Sequence, residues 1–324
     1  MSFLSLLFAF LLEQVRPLAS GHSLEKAFHA WADWLKNNLD AGDRRHAWTA
    51  WWVAVGVPCM VVVAVHWWLM LGMGWVFAML WNLAVLYATL GFRRFSHHFT
   101  GIRDALATGD DVAARELLRE WQGEADVSMT RTEIIRHVIE HSALAAHRHV
   151  FGVVAWFSLL AAVGLGPVGA LMFRLSALLF QAWGEPSKAV DDGPHTSEAL
   201  ASVSASAWSR VDWLPSRLTG LSFAVVGNFE DAVDAWRQQA DQFQQPNDGV
   251  VLAATSGAIN VRLGGAVLAP DEPPELAGIS DMVPPTAGRE PEFAHLRSMV
   301  GLVWRAVVMW MFLLALLTLA RMVG

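Results

Sequence analysis

Residues 47–92 read AWTAWWVAVGVPCMVVVAVHWWLMLGMGWVFAMLWNLAVLYATLGF and contain no Asp, Glu, Lys or Arg. A helix that crosses a bilayer needs about 20 apolar residues. The stretch is about twice that length and predicts a transmembrane helical hairpin, since a segment in lipid must satisfy its backbone polar groups internally. Leu71-Gly72-Met73-Gly74-Trp75 supplies the turn. Arg44 and Arg45 precede the hairpin, Arg93 and Arg94 follow it, and the turn carries no charge. The bias of Lys and Arg toward cytoplasmic flanks puts both ends of the hairpin in the cytoplasm.

On the N-terminal side, segment 1–46 opens with apolar residues 3–12, too few to span a bilayer alone, and Glu13-Gln14-Val15-Arg16-Pro17 ends the run. No basic region precedes it, so it reads as a retained short helix rather than a cleaved signal. Residues 18–46 carry Leu24, Phe28, Trp31 and Leu35 at helical spacing, an amphipathic helix suited to the membrane surface.

On the C-terminal side, segment 93–150 is polar, helical by pattern and rich in arginine, which again favours the cytoplasm. Segment 151–183 is apolar but interrupted by Gly164-Leu165-Gly166-Pro167. One long tilted helix and two re-entrant half-helices both fit it. Segment 184–297 is a polar or re-entrant region. It comprises a loop at 184–200, short apolar runs mixed with charges at 205–265 with a surface helix at 229–245, and a Pro-rich acidic loop at 266–295. Segment 298–324 holds a last transmembrane helix, Met299 to Ala320, with Arg305 in its first turns. The fold class is an all-α membrane protein with about four to five hydrophobic helices, some short or re-entrant, joined by helical polar segments.

Composition agrees. Of 324 residues, 54% are hydrophobic and only 16% charged, against about a quarter in a soluble domain. Seventeen Trp against one Tyr suits a chain with many membrane–water interface positions. A net charge of −7 argues against a nucleic-acid partner. One cysteine, Cys59, excludes an intramolecular disulfide and a Cys-based zinc site. The partner implied throughout is the lipid bilayer, and the location a bacterial inner membrane crossed several times.

No phosphate-cradling GxxxxGK[ST] loop, G-x-S-x-G elbow or HExxH pair occurs. The most suggestive segment is Thr132 to Phe151. As one helix it places Glu133, His137, Glu140, Leu144, His147 and Arg148 on one face, which runs into the apolar helix at Gly152. Three readings stand. It is a solvated helix with pairs such as Glu133 and His137, a polar substrate pocket at the mouth of a membrane bundle, or a metal site from Glu133, His137 and His141 on adjacent turns.

A second cluster is Asp212-Trp213-Leu214-Pro215-Ser216-Arg217-Leu218. Here Pro215 is expected to begin a helix, with Asp212 capping it from outside. Arg217 either holds an anionic ligand or snorkels to headgroups. A third runs from Asn247-Asp248-Gly249 to Asn260-Val261-Arg262-Leu263-Gly264-Gly265. Asn247 or Asp248 is expected to cap a helix that Gly264 closes, with Arg262 favouring its C-terminal dipole. Arg174 and Arg305 lie in apolar segments and are expected to face a bundle interior, with partners among Glu140, Asp212 and Glu13. His97 and His98 are expected at the headgroups.

Taken together, Ala105-Leu106-Ala107-Thr108-Gly109-Asp110 with Ala113-Ala114-Arg115, then Gly152-Val153-Val154-Ala155, then Trp213-Leu214-Pro215-Ser216-Arg217-Leu218-Thr219, then Val261-Arg262-Leu263-Gly264-Gly265, resemble stretches of the CobD/CbiB membrane proteins of cobalamin biosynthesis. Their order and approximate spacing match over most of the chain. The AmpE branch is similar too, at Asp212-Trp213-Leu214-Pro215, at Gly227 to Trp236 and around Arg148. The first resemblance implies an ATP-dependent synthase that joins aminopropanol to adenosylcobyric acid through an amide, using ATP and Mg. It also implies a corrinoid intermediate as ligand. The second implies a non-enzymatic membrane sensor of a cell-wall-derived ligand or a partner protein.

The synthases carry an acidic run, roughly Glu-Ser-x-Ala-Glu-Asn-x-x-Asp-Gly. Aligned on Gly152, this chain has Ala143, His147, Arg148 and Phe151 at those polar positions. After Arg174, Ala177-Leu178-Leu179-Phe180 replaces the family's Asn-Thr-Leu-Asp. A site stripped of these acids binds its metal poorly, which favours a non-enzymatic role.

Overall fold

Arg44–Gly72 and Trp75–Thr89 are helices, and Met73-Gly74 is the turn between them. Gly74 supplies a φ of +94° there, a conformation an L side chain resists. The hairpin is unequal. Its second arm, 15 residues long, reaches only about 22 Å at the helical rise, short of the roughly 30 Å hydrocarbon core. The computed structural model describes residues 2–15, 23–122, 129–184, 196–264 and 286–323. Arg16-Pro17, Gly265, most of the loop at 184–200 and residues 266–285 of the acidic loop lie outside the described residues.

In chain order the helices are α1 (Ser2–Val15), α2 (Ser23–Leu39), α3 (Arg44–Gly72), α4 (Trp75–Thr89), α5 (Phe92–Thr108), α6 (Asp111–Gln122), α7 (Arg131–Ala146), α8 (Gly152–Ala162), α9 (Val168–Trp183), α10 (Glu198–Val226), α11 (Phe229–Gln239), α12 (Pro246–Ile259) and α13 (Phe293–Val323). A π-helical turn, His147–Phe151, joins α7 to α8. Among the described residues, three helical stretches are long and apolar enough to cross a membrane: Arg44–Gly72, Arg131–Ala162 and Phe293–Ala320. Phe3–Val15, Trp75–Thr89 and Val168–Trp183 are shorter apolar helices. The fold is that of an all-α membrane protein. Only 22% of the apolar window of α3, and the same of α13, is buried within the protein. Trp52, Met60, Val61, Trp68, Val308, Phe312 and Leu317 stand exposed on these two helices, a face suited to lipid.

The chain forms two compact units, Met1–Gly91 with Arg148–Pro215, and Phe92–His147 with Ser216–Gly324. In the first, α1 packs on α4: Leu6 and Ala9 are fully buried, and Ser5 Oγ donates to the Met79 carbonyl at 3.3 Å. Leu35, Trp51, Leu179, Trp183, Leu200 and Val203 form its core. The apolar segment after Gly152 is two helices, broken at Val163–Pro167 with Gly164 and Gly166 both at positive φ. The two half-helices approach closely. A Cβ at Gly169 would fall 2.1 Å from the Trp156 carbonyl oxygen, and one at Gly152 would fall 2.1 Å into the Phe173 ring.

In the second unit α12 is buried on every side, from Asn247 through Ala258. Small residues make this close approach feasible. At Gly257 an added Cβ would sit 2.2 Å from the Asp231 carbonyl oxygen of α11.

Several expectations are corrected. Within the described part of 18–46 the amphipathic helix is Ser23–Leu39; it ends before Asp40, and Arg44 onward belongs to the next helix. Pro215 does not begin a helix. It lies inside the 29-residue α10, so Asp212 is mid-helix and caps nothing. The N-cap residue of α12 is Gln245, with Pro246 first in the helix, so Asn247 and Asp248 lie in its first turn. Asn260 ends α12 in the left-handed conformation (φ 52°, ψ 53°), the role expected of Gly264. The surface helix of 229–245 is α11 followed by a short 3₁₀ turn, Ala240–Gln242. Arg305 is exposed, and its Nε donates to the Gly301 carbonyl of its own helix at 3.1 Å instead of pointing inward.

Candidate functional site

The polar face of α7 is built from its first residue. The Thr130 hydroxyl accepts from the Glu133 backbone N–H, and the Glu133 carboxylate accepts from the Thr130 N–H at 2.7 Å, a reciprocal capping box. Glu133 is therefore hydrogen-bonded at the helix start, with His137 within reach of its charge. Arg131 fixes this end against the neighbouring helices, with Nη1 at 2.7 Å from Asp111 Oδ1 and Nη2 donating to the Leu106 carbonyl at 2.7 Å. Further along, His98 stacks on Trp121 with ring centroids 5.9 Å apart, and Trp121 meets His141 edge-on at 4.3 Å. His141 is thus an aromatic contact. Among the described residues no group of three or more His, Cys, Asp or Glu is arranged to hold a metal ion.

The centre of the face grips a distant stretch of backbone. Gly264 N–H donates to Glu140 Oε1 at 2.7 Å, and Arg136 Nη1 donates to the Gly264 carbonyl at 3.1 Å. One residue's two backbone groups are thus held by side chains one helical turn apart. His137 Nδ1 lies 3.7 Å from Glu140 Oε2.

The segment leading to Gly264 is pinned from its other side. Ser256 Oγ lies 2.8 Å from the Val261 carbonyl, 2.6 Å from Thr286 Oγ1 and 3.1 Å from the Ala287 carbonyl. Leu263 N–H donates to Thr286 Oγ1, and Thr286 N–H to the Leu263 carbonyl, both at 2.7 Å. Arg262 N–H donates to the Arg289 carbonyl at 2.7 Å, and the Arg262 side chain itself is exposed.

Two further contacts tie this unit together. Arg217 Nη1 donates to Asn247 Oδ1 at 2.8 Å, so the second and third sequence clusters meet there. His147 Nδ1 pairs with Thr219 Oγ1 at 2.9 Å, both groups fully buried. Asp248, next to Asn247, is largely buried and has a polar or electrostatic partner. The predicted residues therefore divide. Glu133, His137, Glu140, Arg217, Asn247, Asp248 and Arg262 belong to one unit, and Arg148, Arg174 and Asp212 to the other. Within the latter, Asp212 is fully buried and each of the three has a polar or electrostatic partner.

The order of these segments agrees with a family model described as CobD/Cbib protein, which matches residues 6–303. The chain belongs to the CobD/Cbib family. A family relative from Stutzerimonas stutzeri, named cobalamin biosynthesis protein CobD, is 28% identical over 297 residues, covering 89% of this chain and 88% of its own. One of the same name from Chromobacterium violaceum is 32% identical over 187 residues, covering 56% and 55%. Another from Mycobacterium tuberculosis is 41% identical over 78 residues, covering 24% and 23%. No solved structure matches the chain.

Sequence reasoning missed Arg136, Ser256 and Thr286. Arg136 sits on the same helix face, one turn from Glu140, but its partner is 128 residues away. Ser256 is visible in the sequence only as one small polar residue in an apolar run.

Proposed function

We propose that this CobD/Cbib-family protein acts in cobalamin biosynthesis, in the bacterial inner membrane, as a binder of a corrinoid intermediate near the cobinamide stage. The similarity that carries this reading spans 89% of the chain and 88% of a relative named for that pathway. The family's ATP-dependent condensation calls for carboxylates around a metal–nucleotide pair. At the corresponding positions Ala143 is buried, and His147 is buried against Thr219. The acids replaced at these positions speak against a site for Mg and ATP. What α7 offers is recognition: a fixed guanidinium, a carboxylate and an imidazole around the backbone of Gly264.

The replaced acids equally favour a second reading, a non-enzymatic sensor resembling the AmpE branch, with a cell-wall-derived ligand. Deletion separates the two. The pathway reading expects the deletant to lose cobalamin-dependent growth on cobyric acid and to regain it on cobinamide. Normal growth on cobyric acid defeats that reading. Such growth together with an altered response to cell-wall antibiotics supports the sensor.

A further inference from the structure

Arg136 carries five N–H donors in a planar fork. One, on Nη1, is used by the Gly264 carbonyl. Nε and Nη2 are buried, and no group among the described residues accepts from them. These two nitrogens share one edge of the guanidinium, the edge that meets two oxygens of a carboxylate or a phosphate side by side.

The acids that a helix sets beside Arg136, Glu133 and Glu140, lie within reach of its charge but hydrogen-bond elsewhere. Glu133, nearly one turn before it, accepts from the Thr130 N–H and hydroxyl at 2.7 and 2.8 Å. Glu140, one turn after it, accepts from the Gly264 N–H. Next to Arg136, His137 Nε2 is buried and has no hydrogen-bond partner among the described residues. Buried donors that go unmet among the described residues are costly to a fold, and such groups are retained where a ligand meets them.

We infer that the Nε–Nη2 edge of Arg136 binds an oxyanion, the phosphate or carboxylate group of the protein's small-molecule ligand. The bond from Nη1 to Gly264 fixes the plane of the fork before the ligand arrives, so little ordering remains to be done on binding. The inference deepens the proposed function and rests on its claim that the protein takes a small anionic ligand.

The test uses the full chain in detergent, with unfolding midpoints followed against sodium phosphate, sodium acetate and sodium chloride at matched ionic strength. A saturable rise with phosphate, and none with chloride, is expected. A rise with acetate instead identifies the carboxylate as the recognised group. Arg136→Lys keeps the charge and loses the edge, so the apparent Kd weakens about tenfold or more. A wild-type response to both oxyanions no greater than to chloride overturns the site, as does wild-type affinity in Arg136→Lys.

If Arg136→Lys does not fold, phenylglyoxal labelling of the wild type decides. Phosphate slows modification at Arg136 and not at the exposed Arg237, and equal rates at Arg136 with and without either oxyanion overturn the site. Binding and growth are separate readouts. Oxyanion binding with normal growth of the deletant removes the pathway and keeps the site, and the reverse result keeps the pathway and removes the site.

Discussion

The indole N–H of Trp156 donates to the carbonyl of Val211 at 2.9 Å. Val211 stands four residues before Pro215, inside α10. Proline has no N–H, so this carbonyl is the one that Pro215 deprives of its helical donor. A side chain from α8 supplies the missing hydrogen bond, which is how a proline persists within a helix without leaving a buried acceptor unmet.

Trp156→Phe is therefore expected to destabilise the protein by about 1–3 kcal/mol, the cost of a part-buried acceptor left unpaired. In a Pro215→Ala background the backbone N–H restored at that position takes the Val211 carbonyl, and the same substitution should cost less. Thermal unfolding of the two single variants and the double variant in detergent gives the coupling directly. Additive effects within about 0.5 kcal/mol would show that Pro215 and Trp156 are independent.

Ser256 and Thr286 hold the Asn260–Gly264 segment in place. Thr286→Val keeps the shape and removes the acceptor of the Leu263 N–H and the partner of Ser256. Both positions are almost fully buried. Hydrogen exchange at the Leu263 amide should accelerate by roughly tenfold or more, corresponding to about 1–2 kcal/mol of lost local stability. Exchange unchanged in peptides covering 260–264 would show that the remaining bonds suffice.

The hairpin is legible because its signal is local and compositional: a long run without charge, bounded by arginine pairs, with two glycines at its turn. Pro215 misleads because one residue type carries opposite meanings. Proline favours the first turn of a helix, and it also survives inside one when another group takes the orphaned carbonyl. The deciding donor, Trp156, is 55 residues away in sequence and leaves no local trace. The same holds for the site. Glu140 is visible as an acid at helical spacing, while its partner Gly264 lies 124 residues downstream. A charge within a span is costly, which points Arg305 inward on sequence grounds, yet the side chain is exposed and bonded to the backbone of its own helix.

The exposed face of α3 yields a prediction about the bilayer. Met60 sits near the middle of Arg44–Gly72, with 65% of its surface exposed. If that face meets lipid, Met60→Arg places a charge near the centre of the hydrocarbon, at a cost of about 2.5–3.5 kcal/mol on the insertion scale. The carbonate-resistant membrane fraction should fall markedly. Thr49→Arg, close to the arginine pair at the helix start, should leave it unchanged. Equal membrane retention of the Met60 variant would mean that protein or water, and not lipid, covers this face.

Glycine contacts separate packing from helix propensity within the same fold. At Gly257 a methyl group would meet the Asp231 carbonyl at 2.2 Å, a backbone atom that cannot rotate aside. At Gly56, also inside a helix, nothing lies within 4 Å. Alanine is favoured over glycine in a helix interior by roughly 0.8–1 kcal/mol. Gly56→Ala is thus expected to be neutral or stabilising, and Gly257→Ala to destabilise by about 1–3 kcal/mol or more as α11 and α12 are forced apart. The unfolding midpoint should fall for Gly257→Ala and hold or rise for Gly56→Ala. A Gly257→Ala protein as stable as the wild type would mean that α11 and α12 pack less closely than their backbones indicate, and with them the buried helix that carries Asn247 and Ser256.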